Sequence, residues 1–115
     1  MRHDVGVTLR QMLTYVREAI GMGARTTRAE LGSDIVLTRS LVHTLEMIGE
    51  AARRVTEDDR ASYPAVPWQD IVDLRNRLIH GYDQVDYDTV WQIVLEDLPQ
   101  LAAELERITQ ASGDQ

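Results

Sequence analysis

The chain carries an arginine, an asparagine and a histidine close together, in the run Arg75-Asn76-Arg77-Leu78-Ile79-His80. A guanidinium stays protonated at any physiological pH and offers a planar fork that fits the oxygens of a carboxylate or a phosphate. An imidazole titrates near neutral pH and can give or take a proton. Together the three side chains could hold an anion and move a proton beside it. Little else in the chain competes for a chemical role. There is no cysteine, which excludes thiol catalysis, disulfides and cysteine metal sites. All twelve basic residues are arginine, which removes Schiff-base and general-base lysine chemistry. His3 stands near a terminus, and His43 falls on the polar flank of a helix. Neither has a second histidine at ligand spacing, so no metal site and no cofactor is expected.

Whether Arg75 does chemistry depends on the helix that bears it. The spacing predicts a helix that begins after Pro67 and ends at Gly81. At about 100° per residue, Ile71, Leu74, Leu78, Ile79 and Val72 define a buried arc, and Arg75 falls inside it. Asp73, Arg77 and His80 fall on the polar side, with Asn76 at the boundary. An arginine on an apolar face is seldom left without a partner. Two readings are open: a structural ion pair with Glu46 or Glu50, or a cation held in a groove or dimer seam to meet a phosphate. On an ideal helix Arg75 and His80 diverge by about 140°. They converge if the helix ends or unwinds at His80-Gly81, or if a second subunit completes the site. Tyr82, just beyond that end, would pack its ring over the helix and leave its hydroxyl in water.

The remaining elements that must position this segment are also helical. Leu9, Leu13, Val16 and Ile20 predict a first helix from about Val7 to Ile20, ended by Gly21 and Gly23. Residues 26 to 32 read as a turn or short helix. A second helix starts at Ser33 or Asp34 and aligns Leu41, Leu45, Ile48, Ala52 and Val55, with Gly49 beside that face. A glycine there is unfavourable unless another backbone packs close. Arg53 and Arg54 end this helix, where cations suit its dipole and could widen a basic surface. Thr56-Glu57-Asp58-Asp59 predicts a cap and a short helix ending near Tyr63. The last helix starts around Asp86 to Asp88 and carries Val90, Val94, Leu98, Leu101, Leu105 and Ile108. Pro99 should kink or split it. Trp68 and Trp91, flanked by apolar residues, read as packing anchors. Strand signals are essentially missing. The expected fold class is all-α: an antiparallel bundle of four to five helices with the last kinked near Pro99, one domain over residues 1 to 108 and a frayed polar tail from Thr109 to Gln115.

At 115 residues the core is modest, and self-association would add to it. The net charge of −7 argues against a general nucleic-acid binder, so any RNA contact must be a local basic site on an acidic body. No apolar run is long enough to span a bilayer, and none resembles a signal peptide, so a soluble, cytoplasmic protein is expected.

The run R-N-x-x-x-H, continued as His80-Gly81-Tyr82, resembles the signature of the HEPN superfamily, specifically its HepT-like toxins. The likeness extends to Ile48-Gly49-Glu50-Ala51-Ala52-Arg53, Tyr63-Pro64-Ala65-Val66-Pro67-Trp68 and Asp86-Tyr87-Asp88-Thr89-Val90-Trp91, in the family's order. It covers roughly residues 5 to 108 and is weakest from Gly21 to Gly32. The resemblance implies a HEPN-like helical bundle that forms a homodimer. It implies a metal-independent endoribonuclease with Arg75 and His80 lining a cleft at the dimer interface and Asn76 supporting them. It further implies the toxin half of a type II/VII-like toxin–antitoxin system. The partner would be an MNT-class nucleotidyltransferase antitoxin, able to transfer AMP to Tyr82, and the substrate an RNA such as tRNA or mRNA. The competing reading is a non-catalytic helical module that binds a nucleotidyltransferase or nucleotides, with Arg75 as a structural cation.

Overall fold

A computed structural model describes residues 4 to 80 and 84 to 113. Three long helices make its frame. Helix α1 spans Val5–Gly23 and α2 spans Ile35–Arg53. The C-terminal helical rod runs from α6 (Tyr87–Gln92) through a π-helical turn (Ile93–Asp97) into α7 (Leu98–Gly113). Between α2 and α6 lie α3 (Glu57–Ala61), α4 (Trp68–Val72), α5 (Leu74–Leu78) and two short strands, β1 (Ile79–His80) and β2 (Gln84–Val85).

The helix starts follow from local chemistry. Asp4, Asp34, Thr56 and Asp86 each stand at an N-cap, and each side chain accepts a backbone N–H of the first turn. The apolar stripes then choose the packing. α1 lies between α2 and α7 and is antiparallel to both. Arg54 at the end of α2 donates to Gln11 near the start of α1 at 2.9 Å. Along the C-terminal rod, Arg17 pairs with Glu106 of α7 at 3.2 Å, while Gly23 abuts Val94 of the π-helical turn. Leu9, Met12, Val16, Leu41, Leu45, Ile48, Leu78, Val90, Ile93 and Leu105 are almost wholly buried and form the centre of the core. The all-α bundle is therefore as expected.

Three local expectations are corrected. The helix expected to run from Pro67 to Gly81 is two short helices, α4 and α5, interrupted at Asp73, and it ends at Leu78. Asp73 sits in the bridge region (φ −86°, ψ 5°), and the Val72 carbonyl is drawn to the Arg53 guanidinium at 3.3 Å. At the other end Ile79 is extended (φ −117°, ψ 121°) and pairs with Val85, while the Asp86 N–H caps the Leu78 carbonyl at 2.8 Å. Long-range bonds thus replace the next helical turn. The β1–β2 pair is antiparallel, with His80 opposite Gln84, where no strand signal was seen.

At Pro99 the rod does not split. The π-helical turn immediately before it takes up the proline, whose ring would clash with a carbonyl one turn back in a regular helix. Helical backbone also continues from Thr109 to Gly113, with the Thr109 hydroxyl bonded to Leu105 at 2.8 Å.

Candidate functional site

α4, α5 and β1 are held against the bundle by the segments that flank them in space. Gly49 of α2 is buried under α4: a Cβ there would lie 3.1 Å from the Ile71 carbonyl oxygen and 3.8 Å from the Leu74 Cβ. The glycine in a helical stripe therefore marks a close backbone approach. Trp68 is buried, and its indole N–H reaches the carbonyls of Tyr63 (3.1 Å) and Arg60 (3.2 Å), fixing the start of α4. The Arg60 guanidinium lies 5.9 Å over the same ring. Arg53 closes the end of α4, and Asp86 closes the end of α5. Segments far apart in sequence thus converge on the single stretch from α4 to β1.

Within that stretch the buried strip is narrower than the helical wheel implied. Ile71, Leu74 and Leu78 are buried, but Val72 and Ile79 are only partly so. The buried side is centred on Leu74, and Arg75, one residue on, is exposed. The expectation of Arg75 in a buried arc is therefore overturned. Its structural ion pair is not formed either: Glu50 faces Arg53 at 3.8 Å. Among the described residues no hydrogen bond or ion pair engages the Arg75 guanidinium or the Asn76 amide, and both side chains are exposed.

Arg77 behaves in the opposite way. It lies half-buried and donates to Asp97 of the π-helical turn at 3.0 Å. The two arginines of the motif are thus distinguished by the fold, one tied to the rod and one presented to solvent. Arg77 and Asp97 line a cavity of about 360 Å³ floored by Ile71, Leu74, Leu98 and Leu101; Arg75 does not line it.

His80 has left the helical lattice. Its backbone is in β1, so the divergence expected of two positions five apart on one helix does not apply. Gly81 and Tyr82 lie outside the described residues. His43 is exposed, as expected, and Trp91 is partly buried against the core. Arg53 and Arg54 are exposed and donate to the Val72 carbonyl and to Gln11 respectively, so each also fastens the end of α2 to a neighbouring segment. Among the described residues no group of three His, Asp or Glu side chains is arranged to hold a metal, and no helix is long and apolar enough to cross a membrane.

The sequence reasoning missed Asp97, which belongs to no motif and stands 20 residues from Arg77. Its only sign was a charged residue directly beside Leu98 of the apolar stripe, two residues before Pro99.

Residues 12–108 match the family model described as "Ribonuclease HepT-like". Among curated proteins, the chain is 35% identical to "Putative RNase MJ1380" of Methanocaldococcus jannaschii, over 91% of this chain and 96% of that one. It is 31% identical to "Probable ribonuclease HepT" of Thermococcus cleftensis, over 84% and 91% of the two chains. It is 39% identical to "Putative RNase TTE0752" of Caldanaerobacter subterraneus, over 67% and 69%. No solved structure gives a significant match.

Proposed function

The chain belongs to the HepT-like ribonuclease family, and from that premise we propose that it is a metal-independent endoribonuclease and the toxin of a toxin–antitoxin pair. The observation that carries this reading is the exposed pair Arg75 and Asn76, without a partner among the described residues, on a helix whose other side is buried and which gives way to extended backbone at Ile79, one residue before His80. A structural arginine would have a partner within the fold. This one is available to an anion from outside.

RNA supplies its own nucleophile, the 2′-hydroxyl, so cleavage needs a base for that hydroxyl, an acid for the 5′-oxygen and positive charge on the phosphorane. His80 takes a proton-transfer role, Arg75 binds two non-bridging oxygens, and Asn76 orients the phosphate or the imidazole. The bond from the 2′-oxygen to phosphorus forms as the bond to the 5′-oxygen breaks, leaving a 2′,3′-cyclic phosphate and a 5′-hydroxyl. One chain offers one such histidine. In a two-fold homodimer the second His80 would supply the other proton transfer. An MNT-class nucleotidyltransferase antitoxin would silence the site by transferring AMP from ATP to the Tyr82 hydroxyl, which loses its proton as pyrophosphate leaves, placing a charged, bulky group two residues from His80.

The test is cleavage of tRNA and mRNA by purified wild type beside Arg75→Ala and His80→Ala, in the presence of EDTA, with the product ends mapped. Cyclic-phosphate ends made by wild type alone are expected. Intact RNA, or equal cutting by folded His80→Ala, refutes the reading. Heterodimers of active and His80→Ala subunits should lose more than half their activity; full activity per intact subunit refutes the shared site. Tyr82→Phe should remain toxic but escape neutralisation by modification, and normal rescue would count against Tyr82 as the acceptor.

A further inference from the structure

The segment between α1 and α2, where the family likeness is weakest, holds the first turn of α6. Its 3-10 turn, Arg28–Glu30, is knit internally: Thr27 caps Glu30, and Ser33 donates to the Glu30 carbonyl at 2.8 Å. Leu31 anchors it in the core at 5% exposure. Gly32 follows with φ +91°, a conformation that favours glycine, and its N–H is bonded to the Thr38 hydroxyl at 3.0 Å. The Tyr87 ring lies directly on this glycine. A Cβ built there would stand 2.8 Å from one ring carbon and 3.2 Å from a second. One residue on, Asp88 accepts from Arg28 Nε at 2.6 Å.

These contacts grip α6 one residue after Asp86, whose N–H closes the end of α5, and two after Val85, which pairs with Ile79. A continuous path therefore runs from the core through Leu31 and Gly32 to Tyr87, and on through β2 to the backbone of His80. We propose that Gly32, Tyr87 and the Arg28–Asp88 pair are positioning residues for the β1–β2 strand pair, fixing the backbone of His80 relative to Arg75 without touching RNA. The proposal rests on the ribonuclease reading above. Catalytic geometry tolerates little error, since a misplacement of about 1 Å can cost 10²-fold in rate. A contact that sets the strand pair by packing should therefore appear in the rate of chemistry and not in RNA binding.

The test uses the full chain and end-labelled bulk tRNA, with enzyme in excess, to read the saturating cleavage rate and the half-saturating concentration separately. Gly32→Ala and Tyr87→Ala should each lower the rate by roughly 10- to 100-fold, with half-saturation shifted less than about threefold. In a Tyr87→Ala background the ring clash is gone and only the strain of a Cβ at φ +91° remains, so Gly32→Ala should cost clearly less further rate than it does in wild type. Should Tyr87→Ala fail to fold, the surface pair decides. Arg28→Asp should slow cleavage by about two- to fivefold, and Asp88→Arg in the same chain should restore it to within about twofold. Hydrogen exchange at the amides of Ile79, His80 and Val85 should quicken in the slowed variants and recover with the charge swap. Unchanged rates in Gly32→Ala and Arg28→Asp with an active wild type overturn this proposal alone. So does rate loss that is additive across both pairs. A wild type inert on tRNA and mRNA overturns the ribonuclease reading and this one with it.

Discussion

Arg75 and Arg77 stand two residues apart on α5, and the fold assigns them opposite fates. Replacing each by alanine should separate catalysis from stability. Arg75 is exposed and without a partner among the described residues, so its removal should change folding free energy by no more than about 0.5 kcal/mol. For a chain of this size about 1 kcal/mol corresponds to roughly 4 °C in Tm, so Arg75→Ala should melt within about 2 °C of wild type. Its loss in cleavage should be large. Removing one preorganised donor to a transition-state oxyanion costs about 3–4 kcal/mol, or 10²- to 10³-fold. Arg77→Ala breaks the 3.0 Å contact to Asp97, in which both side chains are a third or more exposed (35% and 44%). Solvent screening holds the value of such a pair to about 0.5–1 kcal/mol, so Tm should fall by about 2–4 °C. Cleavage should fall less than tenfold, since Arg77 is turned towards the π-helical turn. Thermal melts and single-turnover cleavage of tRNA, run on both variants, give four numbers. An Arg75→Ala protein that unfolds several degrees early, or an Arg77→Ala protein that loses more activity than Arg75→Ala, would refute the assignment.

Three further outcomes are expected. Gly23→Ala would drive a Cβ into the buried Val94 Cγ1, and overpacking of this kind costs about 1–3 kcal/mol, more than the helix propensity gained. Val94→Ala should relieve part of that cost, and denaturant melts of the two singles and the double check it by non-additivity. Trp68→Phe deletes the N–H shared by the Arg60 and Tyr63 carbonyls and should destabilise by about 1–2 kcal/mol, or roughly 4–8 °C in Tm. The Arg107 guanidinium bonded to Glu104 holds that carboxyl below its ordinary value. The pair's contribution is thus complete above the ordinary carboxylate range and fades as pH falls below it, and Glu104→Gln should flatten that part of the Tm–pH profile.

The helical class, the caps and most of the core were legible in the sequence because they depend on local rules. Leu41, Leu45, Ile48 and Ala52 share a face by spacing alone, and Asp34, Thr56 and Asp86 cap by reaching a few residues along their own chain. Gly49 could be read as a close-approach site because a glycine in an apolar stripe has few other uses, though nothing local names the Ile71 carbonyl as its neighbour. The candidate site was legible as a set of residue types, Arg75, Asn76 and His80. Their disposition was not. The wheel assumed one unbroken helix to Gly81 and put Arg75 in the core. The fold instead breaks that helix at Asp73 and ends it at Leu78, through bonds from Arg53 and Asp86 that come from other parts of the chain. Periodicity decides which side chains can share a face. Only the competition between the helix's own hydrogen bonds and those offered by distant segments decides where the helix stops, and hence that Arg75 faces water, Arg77 faces Asp97 and His80 rides on a strand.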